Sequence, residues 1–291
     1  MHPLIKDLIA RGPVVTDGAW GTELQARGLA SGEFPDAWNL THPERVEEVA
    51  RAYVAAGSQI ILTNTFGANR LRAGGHALAD RVVEINRAGV EISRRAAGGR
   101  TKVFASIGPS GKLLLTGETS EDELRDAFAE QAAALAQASA DAIVVETISD
   151  LAEAKIAVSA ACATGLPVVA CMVFDSGKNK DRTMTGATPE QAVEALTTAG
   201  ADVIGANCGQ GIAGFVPICQ RMRATTTRPL WMKANAGLPE MENGRVVYRT
   251  TPDKFADVIP QLVAAGANFV GGCCGTNPDY IRAVVKKLRG A

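Results

Sequence analysis

The sequence predicts an α/β fold, a (β/α)8 TIM barrel, and three observations carry that reading. Eight short β-rich apolar runs alternate strictly with eight stretches whose apolar residues recur at helical spacing. Such alternation builds parallel strands, because each right-handed crossover returns the chain to the same end of the sheet. The 291 residues accommodate the roughly 250 that eight such units need in one domain. No linker, low-complexity stretch or charge run divides the chain, so residues 1–291 are expected to form a single domain. A doubly wound open sheet is the alternative for the same alternation.

The strands are expected at residues 13–16, 59–63, 102–106, 142–146, 167–173, 202–207, 229–234 and 268–272, each built around Val, Ile, Leu or aromatic neighbours such as Ile60-Ile61, Ile143-Val144-Val145 and Phe269-Val270. The helices are expected at 43–56, 79–96, 121–138, 151–163, 189–199, 213–223, 252–265 and 278–288. Three of them begin Thr188-Pro189, Thr251-Pro252 and Asn277-Pro278, a capping side chain followed by proline at the first helical position, where its missing N–H donor is not needed. Four junctions before strands read Ala56-Gly57-Ser58, Ala138-Ser139-Ala140, Ala199-Gly200-Ala201 and Ala265-Gly266-Ala267, and in three of them a glycine is suited to end the preceding helix.

Thirty Lys and Arg balance 31 Asp and Glu, a net charge of −1 that argues against nucleic acid or a membrane surface as partner. No apolar stretch is long enough to span a bilayer and the first residues lack the pattern of a secretory signal, so a cytoplasmic location is expected. Six cysteines in a chain of this length are too sparse for a disulfide framework and stay available as thiols. Cys162, Cys171 and Cys219 sit singly among apolar neighbours and read as small core residues. The three histidines, His2, His42 and His76, are scattered and read as solvated.

In a parallel barrel the active site forms at the carboxyl ends of the strands. The residues there include Asp17-Gly18, Thr63-Asn64-Thr65, Glu146-Thr147, Asn207-Cys208, Asn235-Ala236-Gly237 and Cys273-Cys274-Gly275. Cys208, Cys273 and Cys274 therefore meet at the mouth if the pleat breaks at the vicinal pair, a freedom that Gly271, Gly272 and Gly275 supply. Three thiolates suit Zn2+ and leave its fourth position open for a substrate. The structural alternative is an incidental cysteine pair with Cys208 in the core. The segment 108–112 (Gly-Pro-Ser-Gly-Lys) lacks phosphate-loop spacing and is expected to be an active-site wall.

The segments Asp17-Gly18-Ala19-Trp20-Gly21-Thr22-Glu23, Thr63-Asn64-Thr65-Phe66-Gly67-Ala68-Asn69, Glu146-Thr147 with Asp150, Gly205-Ala206-Asn207-Cys208, Asn235-Ala236-Gly237-Leu238-Pro239 and Gly271-Gly272-Cys273-Cys274-Gly275-Thr276 resemble the zinc-dependent homocysteine S-methyltransferases over nearly the whole chain. Within that family they look most like the homocysteine-binding module of cobalamin-dependent methionine synthase. The resemblance implies a barrel, a zinc requirement and methyl transfer to homocysteine to form methionine. It implies that Asp17 and Glu146 contact the substrate amino group, that backbone donors around Gly18 and Ala19 take its carboxylate, and that Thr65 and Asn235 support the site. The donor it implies is a methylated corrinoid, here on a separate protein, or a small sulfonium compound such as S-methylmethionine, with Trp20 and Trp38 available to pack over the cation. Betaine and a different acceptor thiol are alternatives, although Thr147 after Glu146 and Gly67 after Phe66 depart from the betaine pattern. A zinc hydrolase with Glu146 as base and a noncatalytic zinc or thiol-binding protein are the readings from other classes.

Overall fold

The computed structural model describes residues 1–242 and 245–290. Eight parallel strands form one sheet: β1 (Val14–Val15), β2 (Ile60–Ile61), β3 (Lys102–Ile107), β4 (Ala142–Ile148), β5 (Val168–Met172), β6 (Val203–Gly211), β7 (Leu230–Asn235) and β8 (Ala267–Gly272). Their order is β1-β8-β7-β6-β5-β4-β3-β2, that of a (β/α)8 barrel with β1 and β2 at the seam. Each of these two strands is only two residues long, and a side chain closes the gap between them. Gln59 donates its backbone N–H to Val15 O at 2.8 Å and accepts the Val15 N–H on Oε1 at 2.9 Å. Every backbone polar group buried at the seam needs such a partner, and β1 has no longer neighbour on that side to provide it.

All eight expected helices form: Pro43–Ala56, Val82–Ala97, Glu121–Gln137, Leu151–Cys162, Pro189–Ala199, Ile212–Thr225, Pro252–Ala264 and Pro278–Arg289. Thr188, Thr251 and Asn277 cap their helices as the Thr-Pro and Asn-Pro pairs imply, and Gln191 completes a reciprocal capping box with Thr188. At the four junctions before strands the residue after alanine takes positive φ, 99° at Gly57, 106° at Gly200, 109° at Gly266 and 68° at Ser139. Glycine enters this region without a Cβ clash, and the fourth junction adopts it with a serine.

Two apolar layers hold the barrel. The larger lies between strands and helices and includes Cys219. The smaller fills the interior, where Trp231 lies between Phe104 and Phe269 at ring-centroid distances of 6.0 and 5.2 Å, with Cys171 in the same cluster. A helix absent from the sequence reading, Pro3–Ile9, closes the amino-terminal end by burying Ile5 against this interior set. Its proline start and the His2 side chain, which accepts the Leu4 N–H, are helix-start signals. Also unexpected is an antiparallel hairpin, Glu240–Glu242 with Arg245–Val247, between β7 and the next helix. Among the described residues no helix is long and apolar enough to cross a membrane.

Candidate metal centre and substrate pocket

The carboxyl ends of the strands surround a cavity of about 660 Å³. Its sulfur side is built by two irregular strand ends. Between β6 and β7 the register steps from Asn207↔Lys233 to Gly211↔Asn235, so β6 carries extra residues in a bulge. Cys208 sits in that bulge at φ 63°, left-handed for a residue with a Cβ, and such strain gathers at functional sites. Past the end of β8, the Cys273 N–H bonds to Ala234 O at 2.7 Å, the Ala236 N–H to Cys274 O at 2.9 Å, and the Thr276 N–H closes a turn on Cys273 O at 3.0 Å. Gly275 takes φ 79° there and lies against Tyr248, whose ring atoms would stand 2.2 Å from any Cβ.

These two turns bring the three expected sulfurs together. The Sγ atoms of Cys208, Cys273 and Cys274 lie within 4.8 Å of one another, and Cys208 and Cys274 are 3.8 Å apart. A tetrahedron with metal–sulfur bonds of 2.3 Å has an edge of about 3.8 Å, so the donor set fits a zinc ion. The protons are shared unequally among them. Hydrogen bonds from the Cys273 and Cys274 thiols hold Cys208 down to about 3, and donation to Cys208 pushes Cys274 up to about 12 and Cys273 upward as well. Thiol protons shared among sulfurs this close are the ones a dication displaces on binding. Cys162, Cys171 and Cys219 lie outside it, as their apolar settings imply.

Asn207, adjacent to Cys208 and fully buried, joins this centre to β4. Its Oδ1 accepts the Thr147 N–H at 2.7 Å, and its Nδ2 donates to Thr147 Oγ1 at 2.7 Å and to Glu146 Oε2 at 3.2 Å. Thr147 is itself left-handed, at φ 63°, in a second bulge where β4 and β5 lose register. Glu146 lines the cavity and accepts from Ser106 Oγ on Oε1 at 2.6 Å. Burial pushes its carboxyl upward, against the opposing pull of the Lys233 ammonium.

The remaining sequence-derived residues take different positions. Gly18 and Ala19 line the cavity, but the Ala19 N–H is already donated to Thr276 Oγ1 at 3.2 Å. Asp17 lies fully buried behind the lining with both oxygens engaged: Oδ1 with Lys233 Nζ at 2.5 Å, and Oδ2 with Trp20 Nε1 at 2.8 Å and the Leu62 N–H at 2.7 Å. A substrate reaches this carboxylate only by displacing one of those donors. Thr65 is buried between Thr63 Oγ1, at 2.6 Å, and Ser106 O, at 2.7 Å. Asn235 is buried, and its Oδ1 has no partner among the described residues. The loop at 108–112 does not line the cavity. Gly108 packs under the Phe66 ring, and Phe66 forms that wall instead. Trp20 faces the cavity, whereas Trp38 is buried against His42. His2, His42 and His76 stand apart from the site in local contacts.

Sequence reasoning missed Lys233, Ser106 and Tyr248, and it named Asn207 only as a neighbour of Cys208 at a strand end, with no role of its own. A signal existed for the first: Lys233 interrupts the apolar run Leu230-Trp231-Met232 in what must be a buried strand, and a charge there needs a partner.

The chain matches the family model described as homocysteine S-methyltransferase over residues 14–288. It is 33% identical to the methionine synthase of Mycobacterium tuberculosis and 32% identical to that of Mycobacterium leprae, in each case across 96% of its own length. It spans about a quarter of the length of these relatives, 25% and 24% respectively. Among solved structures, the metallated form of the homocysteine methyltransferase MmuM from Escherichia coli superposes with a TM-score of 0.82 at 25% identity, covering 99% of this chain and 100% of that one.

Proposed function

Because the chain belongs to the homocysteine S-methyltransferase family, we propose that it moves a methyl group onto the thiol of homocysteine to form methionine, with residues 1–291 acting as one homocysteine-binding domain. The observation that carries this reading is the convergence of three sulfurs within 4.8 Å at one wall of a cavity that also presents Glu146.

Cys208, Cys273 and Cys274 would hold a zinc ion. When bound, zinc supplies the positive charge that keeps a homocysteine sulfur deprotonated near neutral pH. The chain's own residues set the geometry around it. The bulge at Cys208 and the turn at Gly275 aim the cysteine side chains inward, the Asn207 amide donates to Cys273 Sγ at 3.8 Å, and Asn235 supports the site beside them. Glu146, fixed by Ser106 and Asn207, takes the substrate ammonium; the incoming charge favours its ionised form, which burial alone disfavours. Asp17 stands behind this contact and sets its charge through Lys233. Backbone donors near Gly18 receive the substrate carboxylate, while Thr65 braces the floor through Ser106. Holding the thiolate and a methyl carbon in line within one cavity supplies most of the acceleration such a displacement needs.

The donor is a methylated corrinoid or a small sulfonium compound. The test is zinc per chain on freshly reduced protein, paired with methionine formed from homocysteine and S-methylmethionine, betaine or a methylated corrinoid. About one zinc and turnover with one donor supports the assignment. Zinc without methionine from any donor points to a noncatalytic thiol-binding role and overturns it.

A further inference from the structure

The two halves of the sulfur centre are held differently. Cys273 and Cys274 are fixed by main-chain bonds to β7, from the Cys273 N–H to Ala234 O and from the Ala236 N–H to Cys274 O. Cys208 lies where the ladder is interrupted. Three residues of β6, Cys208, Gly209 and Gln210, stand opposite the single residue Ala234 of β7, and the register of β6 with β5 ends at Ala206. Among the described residues, then, no ladder pair fixes this stretch on either side. Cys208 and Gly209 are also left-handed in succession, at φ 63° and 79°. A residue with a Cβ stays in that region only where its surroundings over-determine it.

Side chains flanking the bulge replace the ladder. On one side the Asn207 amide is bonded to Thr147 at the end of β4. On the other, Gln210 Nε2 donates to Phe174 O at 3.1 Å and to Lys180 O at 3.0 Å, both in the loop that follows β5. The packing agrees with these bonds. A Cβ on Gly209 would stand 2.9 Å from Val173 Cγ1 and 3.2 Å from Phe174 O, so the bulge rests directly on the start of that loop. A Cβ on Gly214 would stand 2.0 Å from Gln210 Oε1, so the first turn of the helix Ile212–Thr225 leaves room for the amide. The loop is a fixed anchor, closed on itself and pinned from outside. The Asp175 and Ser176 N–H groups both donate to Arg182 O, at 3.1 and 3.0 Å, and the Arg182 N–H returns to Ser176 O at 3.1 Å. Arg221, on the same helix as Gly214, pairs with Asp181 at 2.6 Å and with Glu190 at 2.7 Å.

We propose that Gln210 is a positioning residue for the metal centre: by tying the bulge to the loop at 174–182 it holds Cys208 where its sulfur meets those of Cys273 and Cys274. This inference rests on the zinc reading of the three cysteines and deepens it. Loss of the Gln210 donors lets the bulge relax toward ordinary strand conformation, which carries the Cys208 sulfur away from the other two. A metal must then restore the cluster as it binds, and the free energy of that rearrangement is lost from its affinity.

The test is the zinc affinity of the reduced, zinc-loaded full chain, measured by competition with a chromophoric chelator. Gln210→Ala raises the zinc dissociation constant roughly 10- to 100-fold, the range for removing a group that orients a metal ligand from behind. Gln210→Glu, with the same stem and no N–H donor, raises it at least as far. Gln210→Lys, which restores donors toward the two carbonyls, recovers most of the affinity. Ser120→Ala is the control for a loss of stability alone, since it removes a helix cap bonded to Glu123 and touches no residue of the bulge. Its zinc affinity stays within about twofold of wild type, because a cap acts on its own helix. Wild-type affinity in both Gln210→Ala and Gln210→Glu, or an equal loss in Ser120→Ala, overturns the role of Gln210 while leaving the metal centre in place. A wild-type chain that binds no zinc, or whose zinc survives Cys208→Ala, overturns the metal centre itself and this inference with it.

Discussion

Replacing Asn207 with alanine tests the link between the sulfur centre and the acid that faces the substrate. Asn207 makes three hydrogen bonds into β4, and one of them, from the Thr147 N–H at 2.7 Å, holds a residue at φ 63°. Removing the amide orphans a buried backbone donor, at about 1 to 3 kcal/mol. The expected loss of stability is therefore about 1 to 3 kcal/mol. Glu146 keeps its bond to Ser106 but loses its second donor, so KM for homocysteine rises roughly tenfold, the factor for about 1.4 kcal/mol. Asn207→Asp keeps an acceptor for Thr147 but sets a second carboxylate beside Glu146, and is expected to recover stability more than affinity. Urea unfolding and homocysteine saturation curves at constant zinc measure the two effects. An Asn207→Ala variant with stability within about 0.5 kcal/mol of wild type and an unchanged KM would refute this account of the site.

Cys208→Ala should abolish zinc binding and turnover together while the circular dichroism spectrum stays that of the folded barrel; one zinc per chain with normal activity would remove Cys208 from the centre. Lys233→Met leaves Asp17 buried beside no cation and should cost about 3 to 5 kcal/mol. The double variant Asp17→Asn, Lys233→Met should regain much of that in chemical denaturation, and failure to do so would mean that the pair is not the source of the loss. Burial pushes the Asp36 carboxyl from its ordinary 3.8 up to about 6, with the Gly67 N–H and Arg72 pulling the other way. A carboxyl raised in the folded state gives stability that is whole below its unfolded value and is lost as pH rises through the folded one. Wild type should therefore lose roughly 3 kcal/mol relative to Asp36→Asn between about pH 4 and pH 7. A flat difference across that window in paired urea titrations would show that Asp36 ionises normally.

The fold was legible because its signals are local. Periods of 2 and 3.6, Thr-Pro and Asn-Pro helix starts and Ala-Gly junctions act within a few residues, and the eight helices form close to where that patterning places them. The helix Pro3–Ile9 was open to the same reading through its proline start, whereas the hairpin after β7 carries no clear periodicity. The two shortest strands are shorter than their apolar runs because β1 and β2 meet at the seam, where the Gln59 side chain replaces a stretch of ladder.

For the site, chain position put three cysteines at strand ends, and general barrel geometry put those ends at one mouth. That their sulfurs fall within 4.8 Å depends on a left-handed Cys208 inside a bulge, and a bulge answers to the register of a neighbouring strand rather than to its own sequence. Lys233 and Asp17, 216 positions apart, are partners only once the barrel has curled. Sequence by itself determined which elements form and which chemical groups arrive at the mouth, since these follow from neighbours along the chain. Only the tertiary structure decided which groups face the cavity and which are consumed behind it, because hydrogen bonds and charge pairing depend on distances between segments that the chain order does not bring together.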